Sequence, residues 1–390
     1  MNIAFIHTVF PGGGAERVTR DIAAGILRSN QDDYSFFVYT PNVRSEILTK
    51  EYSGCFRKIS SYSSSDEENE IRRLIEEDKI DVIVQIARRV RGIGRIRKAT
   101  GCRVVFANHG EPFHTRYEIM LRRQRNAMRR FMWRCGLKYI YDDLGLAMLK
   151  SVRSCRRDYD MSDVYTVLCD DYRSTICKRI GIREEDSHMV VINNSEPAVS
   201  DICYDKENMV LFAGRFEMFS KRIDRLLRIW GGVMDALPDW RLVLAGDGPG
   251  LDQMKTMAVE MRLKNVEFVG FRSDMSSLYR RASILCLTSQ TEGWGLCLTE
   301  AQANGVIPIA FDCSAAVRYI LSPDKENGFL ITPFDESEFA SVLIEVAGMS
   351  ETEKMKLRKN VVEKSKSYSP AVIADKWKVV FDELMQNKYA

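Results

Sequence analysis

The sequence has few of the features that mark secreted, membrane-spanning or metal-binding chains. No stretch of its 390 residues approaches the roughly 18 consecutive apolar residues of a transmembrane helix. The first residues, MNIAFIHTVFPGGG, contain neither a basic segment nor a cleavage site, so we do not expect a signal peptide. The ten cysteines include no CxxC pair, and the four histidines do not stand at metal-ligand spacing. These absences favour a reduced, cytoplasmic protein without a cysteine-based metal site.

Alternating strand and helix patterns run through almost the whole chain. The composition, 45% hydrophobic and 10% aromatic, supports sizeable cores, and the length predicts two or three domains. The predicted strands are Ile3–Ile6, Tyr34–Tyr39, Asp81–Ile86, Arg103–Ala107 and Val164–Leu168 in the first half, and Met209–Ala213, Trp240–Ala245, Val266–Val269, Ile284–Leu287 and Ile307–Ala310 in the second. They are apolar on both faces, as parallel strands between two layers of helices are. The pattern predicts an α/β protein with two doubly wound sheets.

A polar stretch divides the two halves. Residues Asn193–Asn208 are rich in Asn, Ser, Asp and Pro, which is typical of a linker. We therefore expect a first domain at 1–195 and a second at 196–370. A final helix is predicted over Ala371–Asn387.

Positive charge is concentrated in one segment. The net charge of the chain is +3, but residues 88–157 hold 19 Lys and Arg against four acidic residues, so this segment carries +15 and the remainder −12. Such a block indicates an anionic partner, which could be phosphate, a membrane surface or nucleic acid. The alternative is a solvated helix surface that happens to be basic.

Two short motifs are consistent with phosphate binding but are not specific. Gly12–Gly14 precede a predicted helix whose N-terminal amides could approach an anion, although the spacing fits neither a dinucleotide fingerprint nor a P-loop. A tight turn is the alternative. Arg215 and Lys221 follow a predicted strand and would clamp a diphosphate at its carboxyl end. Two unrelated surface cations are the alternative there.

The strongest candidate site is Gln290–Ala301, QTEGWGLCLTEA. Two carboxylates, Glu292 and Glu300, stand on either side of a glycine-rich turn into a helix. We expect Glu292 before the helix and Glu300 about two turns inside it, so that both face one ligand. The glycines would expose amides for a phosphate, and Glu300 could bind ribose hydroxyls. The alternative is an acid at a helix N-terminus plus an exposed glutamate.

The elements GR…K, EGWGLCLTEA and NGVIPIA, in this order, resemble the retaining family-4 glycosyltransferases of GT-B fold. The signature of that family is an E-x7-E element, here Glu292 and Glu300, preceded in sequence by an Arg and a Lys, here Arg215 and Lys221. The resemblance runs from the GGGAERV start to the final helix and is stronger in the second half. It implies two Rossmann-like domains facing a cleft, the first on the acceptor side and the second binding a nucleotide sugar. The C-terminal helix is expected to cross back to the first domain.

The resemblance also implies roles for individual residues. Glu300 would hold the ribose, Glu292 would lie near the donor sugar, and amides at Gly293, Gly295, Leu296 and Cys297 would contact the distal phosphate. Arg215 and Lys221 would stabilise the leaving diphosphate, Gly270 and Phe271 would lie at the base, and Gly13 and Gly14 would approach the donor phosphates or the acceptor. His109 matches the family's histidine near the donor sugar, with a capping or core role as its alternative. His7, His114 and His188 are expected to be structural.

The implied chemistry is metal-independent transfer with retention at the anomeric carbon. Fixed cations and helix-end amides suit the negative charge that builds on a leaving diphosphate. No convincing DxD site is present, because Asp142–Asp143 and Asp170–Asp171 look like helix-start or surface acids. The family pattern implies front-face attack, in which the leaving phosphate accepts the proton of the acceptor. A UDP-sugar carrying a hexose or N-acetylhexosamine is the preferred donor, and no cofactor is expected.

The basic segment then has a specific interpretation. From 115 to 135, apolar residues follow a helical stripe flanked by arginines, which is typical of a helix on an anionic membrane. We expect membrane contact through 115–157 and a polyprenyl-diphosphate-linked or other glycan acceptor. The chain would then be a peripheral enzyme of bacterial capsule, O-antigen or exopolysaccharide synthesis, on the inner face of the cytoplasmic membrane. Packing of the stripe on the first domain's sheet is the alternative.

Other functions remain as alternatives. The GT-B fold also serves glycogen-type synthases, sugar phosphorylases and nucleotide-sugar epimerases. A nucleic-acid-binding protein could use the basic segment 88–157, although few aromatics and no reader motif accompany it. A catalytically inactive relative is disfavoured because the Arg, the Lys and both glutamates are intact.

Overall fold

The chain folds into two compact units. The computed structural model describes residues 1–29, 33–45, 54–86, 88–113, 146–196 and 199–386. The first unit comprises Met1–Ser195 with Pro370–Ala390, and the second comprises Glu196–Ser369. The predicted basic stripe at 115–135, together with His114, Asp142 and Asp143, lies outside the described residues.

The first unit is built on a seven-stranded parallel sheet of order β3-β2-β1-β4-β5-β6-β7. Its strands are β1 (Asn2–Ile6), β2 (Ser35–Thr40), β3 (Lys58–Ser61), β4 (Val82–Ile86), β5 (Arg103–Ala107), β6 (Val164–Val167) and β7 (Met189–Val191). Its helices are α1 (Gly14–Ser29), α2 (Glu67–Asp78), α3 (Ile93–Thr100), α4 (Leu146–Asp160) and α5 (Asp170–Ile180), with one further helix from the end of the chain.

Alternate side chains of the central strand enter two different cores. Ile3 and Phe5 of β1 pack in a cluster with apolar residues of α1, whereas Ala4 and Ile6 pack in a second cluster with residues of α2 and α3. Successive side chains of a strand point to opposite faces, so a strand buried on both faces needs apolar residues throughout. This explains why most strands of the sequence are rich in apolar residues at successive positions.

The second unit repeats the plan with a six-stranded parallel sheet of order β10-β9-β8-β11-β12-β13. Its strands are β8 (Glu207–Ala213), β9 (Arg241–Ala245), β10 (Val266–Gly270), β11 (Ala282–Leu287), β12 (Ile307–Phe311) and β13 (Phe329–Ile331). Its helices are α6 (Ile223–Val233), α7 (Leu251–Glu260), α8 (Ser276–Arg281), α9 (Leu296–Ala303), α10 (Ala315–Leu321), α11 (Glu336–Gly348) and α12 (Glu351–Ser365).

The last described helix, α13 (Pro370–Gln386), returns to the first unit and packs on α1. Trp377 and Phe381 are buried there in the same cluster as the apolar face of α1. A Cβ atom on Gly25 of α1 would lie 2.7 Å from Cβ of Ala374, so the two helices approach closely enough to require glycine. Within the described ranges, no helix has the length and apolar character needed to cross a bilayer.

The predicted α/β architecture with two doubly wound parallel sheets is confirmed, and each predicted strand is present within two residues of its expected ends. Three strands were not predicted, namely β3, β7 and β13. All three are edge strands, and they are short or polar. An edge strand is less enclosed than a central one, so it does not need the apolar run by which the others were recognised.

The first residues of the predicted linker are not a linker. Asn193 is buried and donates from Nδ2 to the Leu168 carbonyl at 2.7 Å, and buried Ser195 donates from Oγ to Asp21 at 3.2 Å. The polar composition of this stretch reflects hydrogen bonds inside the first unit rather than solvent exposure. At its other end, Glu207 and Asn208 already belong to β8.

Candidate active site

The candidate donor-site residues follow the carboxyl ends of the strands of the second unit. Arg215 and Lys221 follow β8, Phe271 follows β10, and Glu292 lies between β11 and α9. Because all these strands are parallel, their carboxyl ends meet at one edge of the sheet, where open α/β sheets bind ligands.

The loop after β8 is fixed by a close approach of two backbones. The Gly214 amide donates to the Ala245 carbonyl at 3.0 Å, and the Phe216 amide donates to the Asp247 carbonyl at 2.9 Å. Gly246 has φ +143°, and a Cβ atom there would lie 1.9 Å from the Gly214 carbonyl oxygen. Only glycine fits at 246, so this contact determines the path of the loop that carries Arg215.

The loop after β11 is tied to the same region. The Gln290 amide donates to the Ser220 carbonyl at 2.7 Å, and Thr288 Oγ1 donates to the Arg222 carbonyl at 3.2 Å. Buried Arg225 donates from Nη2 to the Gln290 side-chain oxygen at 2.6 Å. These bonds place the segment before α9 against the segment before α6.

The result is a partly buried ion pair between two of the predicted site residues. Lys221 Nζ lies 2.6 Å from Glu292 Oε1, and Ser289 Oγ donates to the same oxygen at 2.6 Å. Glu292 is only 8% exposed. Burial by itself would lower the pKa of Lys221, but the adjacent Glu292 carboxylate outweighs it and raises that pKa to about 12. Lys221 is therefore charged at any physiological pH.

Arg215, in contrast, is exposed. Within the part of the chain that the structure describes, its guanidinium has no hydrogen-bond or ion-pair partner. It follows β8 by two residues, at the same sheet edge as the Lys221–Glu292 pair. An unneutralised guanidinium at this edge is suited to binding an anionic ligand.

Helix α9 begins directly after the glycine-rich turn that contains Gly293. Gly295 precedes it with φ +93°, a left-handed conformation that favours glycine, and Leu296 and Cys297 form its first turn. Burial is the main cause that raises the pKa of the Cys297 thiol to about 12, and the nearby carboxylates of Glu292 and Glu300 add to it. The positive charge of Lys221 acts in the opposite direction but is outweighed. The thiol is thus a neutral group beside the amides of the helix start.

Glu300 is the fifth residue of α9, so it lies about one turn inside the helix and the expected depth of about two turns was wrong. The helix starts later than the sequence suggested, because the turn extends to Gly295. The carboxylate of Glu300 accepts a hydrogen bond from the hydroxyl of Tyr279 at 2.5 Å. Neither Tyr279 nor Ser289 was identified from the sequence, since nothing in their spacing connects them with the two glutamates.

Gly270 and Phe271, predicted near the base of the donor, stand at the end of β10. Gly270 has φ +71°, and its carbonyl accepts from the Gly246 amide at 2.9 Å. The Phe271 side chain is 74% exposed. The structure thus places an exposed aromatic ring at the same sheet edge as the ion pair.

In the first unit, the glycine loop is already in contact with a carboxylate. Gly14 begins α1, and a Cβ atom on Gly13 would lie 2.7 Å from Oε2 of Glu16. Burial raises the pKa of Glu16, while the amides of Glu16 and Gly13 and the charge of Arg44 act in the opposite direction. The Gly13 amide, which was expected to approach a phosphate or an acceptor, therefore interacts with the chain's own Glu16.

His109 follows β5 and is held by one defined hydrogen bond. Its Nδ1 lies 2.8 Å from Oδ1 of Asn194. Burial lowers the pKa of His109 to about 4, against the effect of the Asn194 bond, so the ring is neutral near pH 7. With Nδ1 donating to Asn194, Nε2 is the acceptor nitrogen.

The other described histidines have partners within the fold, in line with the structural role expected for them. His7 is 2% exposed, and its Nε2 lies 2.9 Å from Oγ1 of Thr19. Burial, with smaller effects of His109 and Arg88, lowers the pKa of His7 to about 3. The ring of His188 stacks on Tyr159 at a centroid distance of 3.8 Å.

Asp170 and Asp171 occupy the first turn of α5, which confirms them as helix-start acids. In the described ranges, no group of three or more His, Cys, Asp or Glu side chains is arranged to hold a metal ion.

Comparison with known proteins shows which fold and which family model the chain matches. The chain is similar to Anabaena HepE in complex with UDP, with a TM-score of 0.72 and 16% identity over 98% of this chain and 100% of that one. This likeness confirms the predicted GT-B fold class. Residues 200–368, which lie in the second unit, match the family model described as glycosyl transferases group 1. This match confirms the resemblance to glycosyltransferases that the sequence motifs indicated.

Several curated relatives of the chain are named as glycosyltransferases. The chain is 39% identical over 111 residues to an uncharacterized glycosyltransferase of Haemophilus influenzae, covering 28% of this chain and 31% of the relative. It is 29% identical over 192 residues to the amylovoran biosynthesis glycosyltransferase AmsD of Erwinia amylovora, covering 47% and 51%. It is also 26% identical over 231 residues to a Campylobacter jejuni N-acetylgalactosaminyltransferase whose named substrate is a glycan linked to diphospho-undecaprenol, covering 57% and 60%. The matched segments span between about a third and three fifths of these relatives.

Proposed function

We propose that the chain is a retaining glycosyltransferase that moves a hexose or N-acetylhexosamine from a nucleotide-diphosphate sugar, preferably a UDP-sugar, to a glycan acceptor in bacterial surface-polysaccharide synthesis. The observation that carries the proposal is the Lys221–Glu292 pair beside the start of α9, within the residues that match the glycosyl transferases group 1 family model. The names of the relatives support polysaccharide synthesis as the setting.

The proposed reaction breaks the bond between the anomeric carbon and the phosphate oxygen, and its electron pair stays on the diphosphate. Lys221 and Arg215 stabilise that charge, and amides at the start of α9 bind the distal phosphate. The acceptor oxygen attacks the same face of the sugar, and its proton passes to the departing phosphate oxygen. Glu292, held by Lys221 and Ser289, lies near the donor sugar, and His109 binds a sugar hydroxyl through Nε2.

The first test is a calorimetric screen of UDP, GDP, ADP and their common sugar conjugates against the wild type and Glu300→Ala. We expect tight binding of one nucleotide, lost in the variant, because Glu300 is proposed to bind the ribose. Tight binding of UDP would also support the donor class. Failure of well-folded wild-type protein to bind any nucleotide would overturn the proposal.

We further propose that the acceptor is lipid-linked and that the basic segment contacts an anionic membrane. The described part of this segment supports the idea. A cavity of about 870 Å³ lies between α3 and the end of α4, and cations outnumber acids in its lining. Its basic lining residues are Arg89, Arg91, Arg95, Arg97, Lys98 and Arg157.

Three of these cations are held in place and three are not neutralised. Arg89, Arg95 and Arg97 pair with Asp158, Glu68 and Asp163. In the described ranges, the side chains of Arg91, Lys98 and Arg157 have no ion-pair partner. We expect the wild type to co-sediment with anionic vesicles and a variant with these three changed to Glu to bind them less. Absence of wild-type binding would overturn the membrane proposal while leaving the donor proposal standing.

A further inference from the structure

Tyr279 is buried in the second unit with its hydroxyl directed at a predicted ribose-binding carboxylate. It lies on the short helix α8, and its Oη is 2.5 Å from Oε2 of Glu300 on α9. Hydrogen bonds from a hydroxyl to a carboxylate are among the shorter and stronger ones in proteins. The contact therefore constrains the rotation of the Glu300 carboxylate.

The Tyr279 hydroxyl stays protonated and serves as a hydrogen-bond donor to Glu300. Burial, and then the negative charge of Glu300, raise the pKa of Tyr279 well above its ordinary value. A neutral hydroxyl offers Glu300 one hydrogen bond and adds no charge of its own. A carboxylate has about four acceptor positions, so one bond from Tyr279 is compatible with further bonds from ligand hydroxyls.

The backbone around Tyr279 is fixed to the end of α9 by a single ammonium group. Lys206 Nζ donates to the carbonyls of Tyr279 at 2.9 Å, Arg280 at 3.2 Å and Asn304 at 2.8 Å. The first two carbonyls end α8, and the third follows α9. Asn304 in turn donates from Nδ2 to the Glu300 carbonyl at 2.9 Å. The helices that carry Tyr279 and Glu300 are thus joined at their C-terminal ends, where a cation is favourable.

We propose that Tyr279 is a positioning residue of the nucleotide site, which holds the Glu300 carboxylate in the orientation that accepts hydrogen bonds from the ribose hydroxyls. It thereby favours ribonucleotides over their deoxy analogues. This inference rests on the proposed function, since it deepens the role given there to Glu300. Tyr279 acts through Glu300 and does not itself touch the ligand.

The test distinguishes a role of Tyr279 in orienting Glu300 from a role in stabilising the fold. The ligands are the nucleoside diphosphate that binds the wild type most tightly and its dideoxy analogue, which lacks both ribose hydroxyls. We expect Tyr279→Phe to weaken binding of the ribonucleotide on the order of tenfold, the effect of one hydrogen bond to a charged group, and to leave binding of the analogue unchanged. Equal weakening for both ligands, or for neither, would show that Tyr279 has no such role.

Two further variants complete the experiment. Tyr368→Phe is the matched control, because it removes a buried hydroxyl of the same unit that has no hydrogen-bond partner in the described ranges. It should bind both ligands as the wild type does. In Glu300→Gln, the added Tyr279→Phe change should have little further effect, whereas additive losses would contradict the proposal. Lack of any nucleotide binding by the wild type would instead overturn the proposed function, and this inference with it.

Discussion

Lys221 Nζ lies 2.6 Å from Glu292 Oε1, although 71 positions of sequence separate the two residues. Backbone and side-chain bonds between the loops after β8 and β11 bring them together. The cation proposed to face the diphosphate is therefore also the counter-ion of a buried carboxylate. Substitution of either residue alone removes the opposite charge that lies beside the other.

Lys221→Met should lower kcat for sugar transfer by about 100-fold, because one preorganised charge that stabilises a transition state typically contributes that much. Initial rates with the identified donor measure the effect. Lys255→Met, at an exposed lysine of α7, is the matched control and should leave the rate unchanged. A rate for Lys221→Met close to that of the wild type would contradict the assigned role.

The same variant leaves Glu292 buried without its cation, which should destabilise the fold by about 3–5 kcal/mol. Adding Glu292→Gln removes the buried negative charge that has lost its cation, so the double variant should regain much of the stability. Its rate should stay low. Denaturant unfolding of both variants distinguishes loss of catalysis from loss of structure.

Gly246→Ala should destabilise the second unit by at least about 3 kcal/mol. The new Cβ would meet the Gly214 carbonyl oxygen at 1.9 Å, at a backbone conformation that alanine rarely adopts. Gly232→Ala in α6 is the control, because no atom lies within 4 Å of its Cβ position and its backbone is helical. It should stabilise the fold by about 1 kcal/mol. Similar effects of the two substitutions in denaturant unfolding would show that the backbone contact is not as close as described.

Stability should fall as the pH is lowered from about 6.5 towards 5. The folded-state pKa values of His7 and His109 lie below the ordinary value, so the unfolded chain takes up protons in this range that the folded chain does not. For His7 alone the slope is up to about 1.4 kcal/mol per pH unit. His7→Gln should therefore give a shallower dependence of the free energy of unfolding on pH. Thr19→Val, which disturbs the same buried pair without removing a titrating group, should leave the slope unchanged.

Removal of divalent cations should leave the transfer rate unchanged. Lys221, Arg215 and the amides at the start of α9 are proposed to carry the diphosphate charge, and this role needs no ion. The measurement compares rates after dialysis against EDTA with rates in added magnesium or manganese. A large loss that either metal restores would show that an ion takes part.

The sequence predicted the central strands well because burial on both faces favours continuous apolar runs, as in Ile3–Ile6 of β1 and in Ile307–Phe311. The edge strand Lys58–Ser61 lacks this requirement and was missed. The stretch after β7 was misjudged for a related reason. The polar side chains of Asn193 and Ser195 form buried hydrogen bonds. Amino-acid composition alone cannot distinguish such residues from the polar residues of a solvated linker.

The candidate site was predicted residue by residue but not as an arrangement. A motif identified Lys221 and Glu292, whereas their direct contact depends on two loops meeting in the folded chain. Ser289 and Tyr279 entered only through the structure, because a single hydroxyl carries no signal of its bonding partner. The depth of Glu300 in α9 was overestimated because the left-handed Gly295 delays the start of the helix.

Helix α13 has a consequence for the order of biosynthesis. The chain leaves the first unit after Ser195 and returns to it at Pro370, with the whole second unit in between. At about 5–20 residues per second, a ribosome needs about 10–35 seconds to make that intervening part. During this time the nascent first unit lacks Trp377 and Phe381, and the face of α1 around Gly25 lacks the helix that packs on it in the folded chain. The part of the protein that is translated first is therefore the last to complete its core.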